Sequence, residues 1–210
     1  MKPTVYIVDD DQSYRTATER LLCAYGHTVT GFSSGAELLA CLADGATGCV
    51  LLDLQMPQHS GLQIQKELRT HAPLLPIVFL TGQGDIKASV EAMKCGAEDF
   101  LEKPASPAVL IRAIEQALAR SASRRAQHER VLAQQARVKS LSLRENSVFE
   151  LLIRGKLNKQ IAFSLGISER TVKVHRHQVM EKLGARSLAD VVMIAANAGF
   201  VDHPDGRSEP

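Results

Sequence analysis

Thr4-Val5-Tyr6-Ile7-Val8-Asp9-Asp10-Asp11 decides the fold of this chain: apolar and β-branched residues run almost unbroken and then stop on three carboxylates. A short apolar run with polar punctuation reads as a strand buried on both faces, the kind found in a parallel sheet covered by helices. The alternation of such a run with a longer segment of helical periodicity recurs through residue 118. Candidate strands are 4–9, 28–32, 48–53, 76–81 and 99–101, and helices begin near Gln12, Gly35, Ser60 and Ile86 and after Pro107. Ser34 and Glu37 have the spacing of a capping box for the second helix. Five such units predict an α/β doubly wound, five-stranded parallel sheet.

Residues 108–141 contain neither Gly nor Pro and are rich in Ala, Gln and Arg, so one long helix is expected to run out of the first domain. Its far half has only a thin apolar stripe, Val131, Leu132 and Val138. That reads as a solvated helical linker, with a weak pairing surface as the alternative. Beyond it the pattern changes to short helices with caps. Ser142 and Glu145 form a capping box, Asn158 is placed to cap the next helix before Gly166, Ser168 caps a third that ends at Gly184, and Ser187 with Asp190 opens a fourth. The expected organisation is a first domain over 1–120, a linker over 121–140, an all-α four-helix helix-turn-helix domain over 141–201 and a flexible tail over 202–210.

Composition fits two globular domains: 45% of the 210 residues are hydrophobic and 23% charged, which excludes a disordered or collagen-like chain. The four cysteines, Cys23, Cys41, Cys49 and Cys95, have no zinc or C-x-x-C spacing and read as buried, reduced thiols. No apolar stretch approaches the roughly 18 residues of a membrane span, so a cytoplasmic protein with no membrane partner is expected. The net charge of +2 is an average over unlike segments: residues 1–118 carry −5, 119–140 carry +5, 141–201 carry +4 and the tail carries −2. An acidic module is joined to a basic one, the distribution of a nucleic-acid-binding protein.

Asp9, Asp10 and Asp11 follow the first strand, Asp53 ends the third, Thr81 ends the fourth and Lys103 follows the fifth. In a doubly wound parallel sheet all of these lie at the carboxyl edge, where ligands bind. Clustered carboxylates repel one another unless a cation neutralises them, and hard oxygen ligands suit Mg²⁺. Any one of these aspartates alone could be only a cap or a turn residue; their coincidence with a hydroxyl and an ammonium argues for a site. Lys103 precedes Pro104, so the peptide bond between them is a candidate for the cis form.

The runs Val8-Asp9-Asp10-Asp11, Leu52-Asp53-Leu54-Gln55-Met56-Pro57, Ser60-Gly61, Thr81-Gly82-Gln83-Gly84-Asp85 and Phe100-Leu101-Glu102-Lys103-Pro104 closely resemble the receiver domain of two-component response regulators. The resemblance implies that Asp53 is the phosphoacceptor, charged by a sensor histidine kinase. It further implies that Asp10, Asp53 and the backbone carbonyl of Gln55 ligate Mg²⁺, with Asp9 acting through a water. Thr81 and Lys103 would bind the phosphoryl oxygens. Phe100 corresponds to the family's aromatic switch residue and acts with Thr81, an ordinary core role being the alternative.

On the third helix of the second domain, Val179 and Leu183 fall within about 20° of Val172 on a helical wheel and form a core stripe. Lys173, Val174 and His177 face away from it. A cation, an imidazole and an apolar group on one outward face suit a DNA major groove. His175 and His177 point apart and have no third ligand, which argues against a metal site. Residues 141–198 resemble the LuxR/NarL-type DNA-binding domain through Leu141-Ser142-Leu143-Arg144-Glu145, Gly155-Lys156-Leu157-Asn158-Lys159-Gln160-Ile161-Ala162 and Thr171-Val172-Lys173-Val174-His175. Domain order makes the whole chain look most like the FixJ branch, including styrene-response-type regulators. The resemblance implies base contacts by Lys173, Val174 and His177 and phosphate contacts by Asn158, Lys159, Thr171 and Lys182. It also implies pairing of two protomers through the fourth helix.

The expected function is therefore regulatory and not enzymatic: a response regulator that, once phosphorylated, dimerises or is released to bind promoter DNA, with RNA polymerase as a further partner. The alternatives are a regulator that binds DNA independently of phosphorylation and a Mg²⁺-dependent phosphohydrolase. The second lacks a dedicated acid or base, since Gln55 stands two residues after Asp53.

Overall fold

A computed structural model describes residues 2–43, 45–57, 60–82 and 86–200. The expected flexible tail and the Gln83-Gly84-Asp85 part of the motif after Thr81 lie outside the described residues. The first half alternates β1 (Thr4–Val8), α1 (Gln12–Ala24), β2 (Thr28–Phe32), α2 (Gly35–Cys41), β3 (Gly48–Asp53), α3 (Gly61–His71), β4 (Ile77–Thr81), α4 (Ile86–Lys94), β5 (Asp99–Glu102) and α5 (Pro107–Lys139). The five strands form one parallel sheet in the order β2-β1-β3-β4-β5.

Period-two alternation along the buried strands divides the core between the two faces of this sheet. Val5, Ile7, Cys49, Leu51, Val78 and Leu80 pack with Leu22 of α1 and with Leu110, Ile111 and Ile114 of α5. Val8, Val50, Leu52, Ile77 and Phe79 pack with Leu38 of α2, Ile64 and Leu68 of α3 and Ala92 of α4. Gly48 opens β3 at φ 133°, and a Cβ there would stand 1.8 Å from the Thr4 carbonyl oxygen, so the close approach of β1 and β3 requires glycine.

The cysteine expectation is corrected. Only Cys49 is buried, which pushes its thiol up to about 12, whereas Cys23 and Cys41 are exposed and Cys95 is intermediate. Cys23 follows the buried Leu22 on α1, and one step along a helix turns the side chain towards solvent. The box at α2 is also different: Ser34 accepts from the Glu37 N–H at 3.3 Å, but the Glu37 carboxylate reaches Ser33, through its N–H at 2.8 Å and its hydroxyl at 2.7 Å.

The chain divides into two compact units, Met1–Ala126 and Gln127–Pro210. The second contains the C-terminal end of α5 followed by α6 (Leu143–Ile153), α7 (Asn158–Leu165), α8 (Glu169–Leu183) and α9 (Leu188–Asn197). Val138 is buried with Val148, Phe149, Ile161, Val172, Val179 and Val191, so the far end of α5 is part of this core and not a solvated linker. Two side chains fix it there. Arg137 donates to the Leu183 carbonyl at the end of α8 at 3.1 Å, and Gln135 donates to the Ala198 carbonyl after α9 at 3.4 Å. Both satisfy carbonyls that a helix end leaves orphaned. No described helix is long and apolar enough to cross a membrane.

Candidate functional site

The register of the sheet assembles the acidic site. Val8 pairs with Leu52, so the next residues on the two strands are Asp9 and Asp53; Asp53 pairs with Leu80, one residue before Thr81; and Thr81 pairs with Glu102, one before Lys103. All four of these positions thus reach one edge through strand pairing. Carboxylate oxygens of Asp9, Asp10 and Asp53 lie within 4.8 Å of one another. Asp9 is fully buried and Asp53 nearly so, while Asp10 is exposed and lines a crevice of about 550 Å³ together with Gln55, Met56 and Ser60.

Lys103 lies between two of these carboxylates: its ammonium donates to Asp9 Oδ2 at 2.6 Å and to Asp53 Oδ2 at 2.8 Å. Its peptide bond to Pro104 is cis. The remaining oxygens take backbone donors, Asp9 Oδ1 from the Asp11 N–H at 3.0 Å and Asp53 Oδ1 from the Gln55 N–H at 3.1 Å. Burial pushes the Asp9 carboxyl above its ordinary range despite the Lys103 ammonium beside it. For Lys103 the balance is reversed: burial works against its charge, but Asp53 and Asp9 together outweigh it and hold the ammonium above its ordinary range. Thr81 is buried beside them, and its carbonyl accepts the Lys103 N–H at 2.6 Å. Asp11 stands apart from the cluster as the N-cap of α1, accepting from the N–H groups of Ser13 and Tyr14. Phe100 is half-buried against the core that packs with α2, α3 and α4, 6.3 Å from the Phe79 ring.

In the second unit, α7 ends at Gly166 in the left-handed conformation at φ 64°, and Ser168 opens α8 by accepting from the Thr171 N–H. This tight turn makes the helix-turn-helix. Val172, Val179 and Leu183 are fully buried, whereas Lys173, Val174 and His177 are exposed on the outer face of α8. Lys159 is exposed at the start of α7, and the Thr171 hydroxyl meets that of Ser168 at 2.9 Å. Asn158 does not cap α7. The cap position is Leu157, whose N–H is taken by the Gln160 side chain, and the Asn158 side chain accepts instead from Arg176 of α8 at 2.6 Å. The Lys182 ammonium is paired with Glu145 at 2.7 Å.

Comparison with known proteins matches these two sites to two families: residues 5–115 to the response regulator receiver domain, and residues 139–195 to the bacterial regulatory proteins of the luxR family. The chain belongs to the response regulators. Among its relatives is the response regulator protein TodT of Pseudomonas putida, 41% identical over 190 residues, which span 90% of this chain and 84% of that protein. Another is the transcriptional regulatory protein FixJ of Azorhizobium caulinodans, 41% identical over 201 residues, or 96% and 95% of the two chains. The solved structure of the response regulator StyR aligns at a TM-score of 0.82 and 44% identity over 93% of this chain and 99% of that one. Full-length FixJ from B. japonicum aligns at 0.57 and 39% identity over 96% and 100%. This response regulator thus joins a receiver to a LuxR-type DNA-binding domain, an organisation consistent with phosphorylation-dependent transcription regulation.

Two groups of the response regulator are missing from the set drawn from sequence. Tyr14 covers the Lys103 ammonium with its ring face, 4.5 Å from the centroid. Tyr14 lies in the first turn of α1, and the local sequence does not separate it from an ordinary helix aromatic. Arg176 braces Asn158, and nothing in the local pattern of α8 separates it from an ordinary surface arginine.

Proposed function

We propose that Asp53 accepts the phosphoryl group of a sensor histidine kinase and that the phosphorylated protein binds promoter DNA. In the transfer an Asp53 carboxylate oxygen attacks phosphorus, the P–O bond forms, the P–N bond to the kinase imidazole breaks, and that nitrogen keeps the electron pair. Such transfer needs positioning and charge neutralisation more than other chemistry. Lys103 already bridges Asp53 and Asp9 and is positioned to follow an oxygen of the new phosphoryl group. Thr81, one residue beyond the partner of Asp53, supplies a hydroxyl for another. Asp9, Asp10 and Asp53 form a hard-oxygen set with more negative charge than Lys103 can balance, which fits a divalent cation. These residues, with the Gln55 carbonyl, would hold Mg²⁺, which when bound supplies further positive charge to the transferred group.

The single observation that carries this reading is one ammonium shared by two buried carboxylates, with a third carboxylate open to a crevice beside them. Downstream, Lys173, Val174 and His177 would read base edges, while Asn158, Lys159, Thr171 and Lys182 lie on or beside the same helix pair and would contact phosphates. The Lys182 contact requires it to leave Glu145. Phosphorylation biases a two-state receiver through Thr81 and Phe100, and a homodimer occupies two half-sites and engages RNA polymerase, in the cytoplasm. The test is incubation with Mg²⁺ and acetyl phosphate, followed by DNA titration. The wild-type protein gains acid-labile phosphate and binds promoter DNA more tightly. Phosphate on Asp53→Asn at the wild-type level overturns the assignment of Asp53.

A further inference from the structure

We infer that Tyr14 is a positioning residue for phosphoryl transfer, acting through Lys103 by closing the aromatic third side of the ammonium's enclosure. The inference rests on the role given to Lys103 above. A lysine ammonium is a compact, strongly hydrated charge on a flexible four-carbon stem, so holding it in one place is entropically costly. Here two sides of the ammonium are fixed by Asp9 Oδ2 at 2.6 Å and Asp53 Oδ2 at 2.8 Å. The Tyr14 ring lies against it at 4.5 Å from the centroid, and the Lys103 side chain is only 14% exposed.

Tyr14 is itself held from both ends. Its N–H is accepted by the Asp11 cap at the start of α1, and its ring packs against the core beneath the sheet edge, together with Ala105, two residues after Lys103. The phenolic oxygen faces the Ala105 backbone and Thr18. The ring therefore spans from the first turn of α1 to the turn that carries Lys103, and it moves only if one of these moves. Its π face attracts the cation while excluding water, and exclusion of water strengthens the attraction of the ammonium for anionic oxygens. When Asp53 gains a phosphoryl group, Lys103 has to exchange one carboxylate oxygen for a phosphoryl oxygen. A wall that attracts the cation without competing for a specific hydrogen bond keeps it in place during that exchange.

The full chain, Mg²⁺ and acetyl phosphate are sufficient for the test, with phosphate incorporation followed in wild type, Tyr14→Met, Tyr14→Phe, Lys103→Met and the double variant Tyr14→Met/Lys103→Met. Methionine keeps the bulk and loses the π face; phenylalanine keeps both. Tyr14→Met is expected to slow incorporation roughly three- to thirty-fold, the range a partly desolvated cation–π contact commands, while Tyr14→Phe stays within about twofold of wild type. On the Lys103→Met background the Tyr14→Met substitution is expected to change nothing further, a coupling that a general packing role does not produce. A wild-type rate for Tyr14→Met, equal slowing by Tyr14→Phe, or undiminished slowing on the Lys103→Met background overturns the inference. So does slowing seen only with a histidine kinase as donor, which would make Tyr14 a docking residue. A wild-type rate for Lys103→Met overturns the underlying reading instead. Should Tyr14→Met not fold, NMR of the wild-type protein decides: ring current shifts the Lys103 Hε resonances upfield, and unshifted resonances refute the contact.

Discussion

Glu145 holds two parts of the DNA-binding unit at once, and replacing it separates their contributions. Its buried carboxylate accepts the Ser142 N–H at 2.7 Å, completing the capping box of α6, and takes the Lys182 ammonium of α8 at 2.7 Å. A capping interaction is worth about 1 kcal/mol, and a charge-assisted bond about 1.5–3 kcal/mol before discounting for exposure. Since the Lys182 side chain is 41% exposed, the pair is reduced to about 1 kcal/mol. Glu145→Gln keeps an oxygen for Ser142 and loses the ion pair, so it is expected to destabilise the unit by about 1 kcal/mol; Glu145→Ala loses both and should cost about 2 kcal/mol. The assay is amide hydrogen exchange of the α6 and α8 peptides in the full chain, which reports on this unit independently of the receiver. The pH dependence has a definite sign. The Lys182 ammonium first, and the Ser142 N–H with it, hold the Glu145 carboxyl below the usual carboxylate range. The unfolded chain therefore takes up the proton first as pH falls. The stabilisation is present above the ordinary carboxyl value and is lost as pH falls through the depressed folded value, so the gap between Glu145→Gln and wild type closes in acid. Equal effects of Gln and Ala, or a gap that does not close, would refute the assigned ion pair.

Two further substitutions probe the two sites. At Gly61, the first residue of α3, an added Cβ would lie 2.5 Å from the Asp53 carbonyl oxygen and 2.9 Å from the Phe79 ring; Gly61→Ala is therefore expected to cost about 1–3 kcal/mol in urea unfolding and to slow phosphorylation by displacing Asp53. Lys173→Ala on the exposed face of α8 is expected to weaken specific DNA binding by about 1–3 kcal/mol and to relax preference at one base position, measured by titration against base-substituted operators. A uniform loss over all sequences would make Lys173 a phosphate contact.

The acidic edge was legible because strand pairing does most of the work. Once 4–8 and 48–53 are recognised as neighbouring buried strands of a doubly wound sheet, Asp9 and Asp53 have to meet at its carboxyl edge, and Thr81 and Lys103 follow by the same rule. Ser142 with Glu145 and Ser187 with Asp190 were legible because a capping box is closed within four residues. What depended on partners far along the chain was not. Asn158 has the chemistry of a cap, but Arg176, eighteen residues on, takes its side chain while Gln160 serves Leu157. Val138 reads as one of a thin stripe until α6 and α8 close over it. Glu37 has two serines within reach, and local spacing does not choose between Ser33 and Ser34. Tyr14 is an ordinary amphipathic-helix aromatic until the turn after β5 brings Lys103 beneath its ring.

The ownership of α5 bears on how such proteins can be recombined. Its turns near Arg120 and Arg124 are tied to Glu98 of the receiver, and Arg125 donates to the Ala46 carbonyl. From Gln135 onward its side chains close the ends of α8 and α9 and fill the core of the DNA-binding unit. A chimaera that joined a foreign sensor module at the start of α6 would carry away the caps of the two C-terminal helices, and one cut before Arg124 would strip the receiver of its own clamps. The tolerant splice lies inside an unbroken helix, between Arg125 and Gln134, where no contact of this kind is made among the described residues.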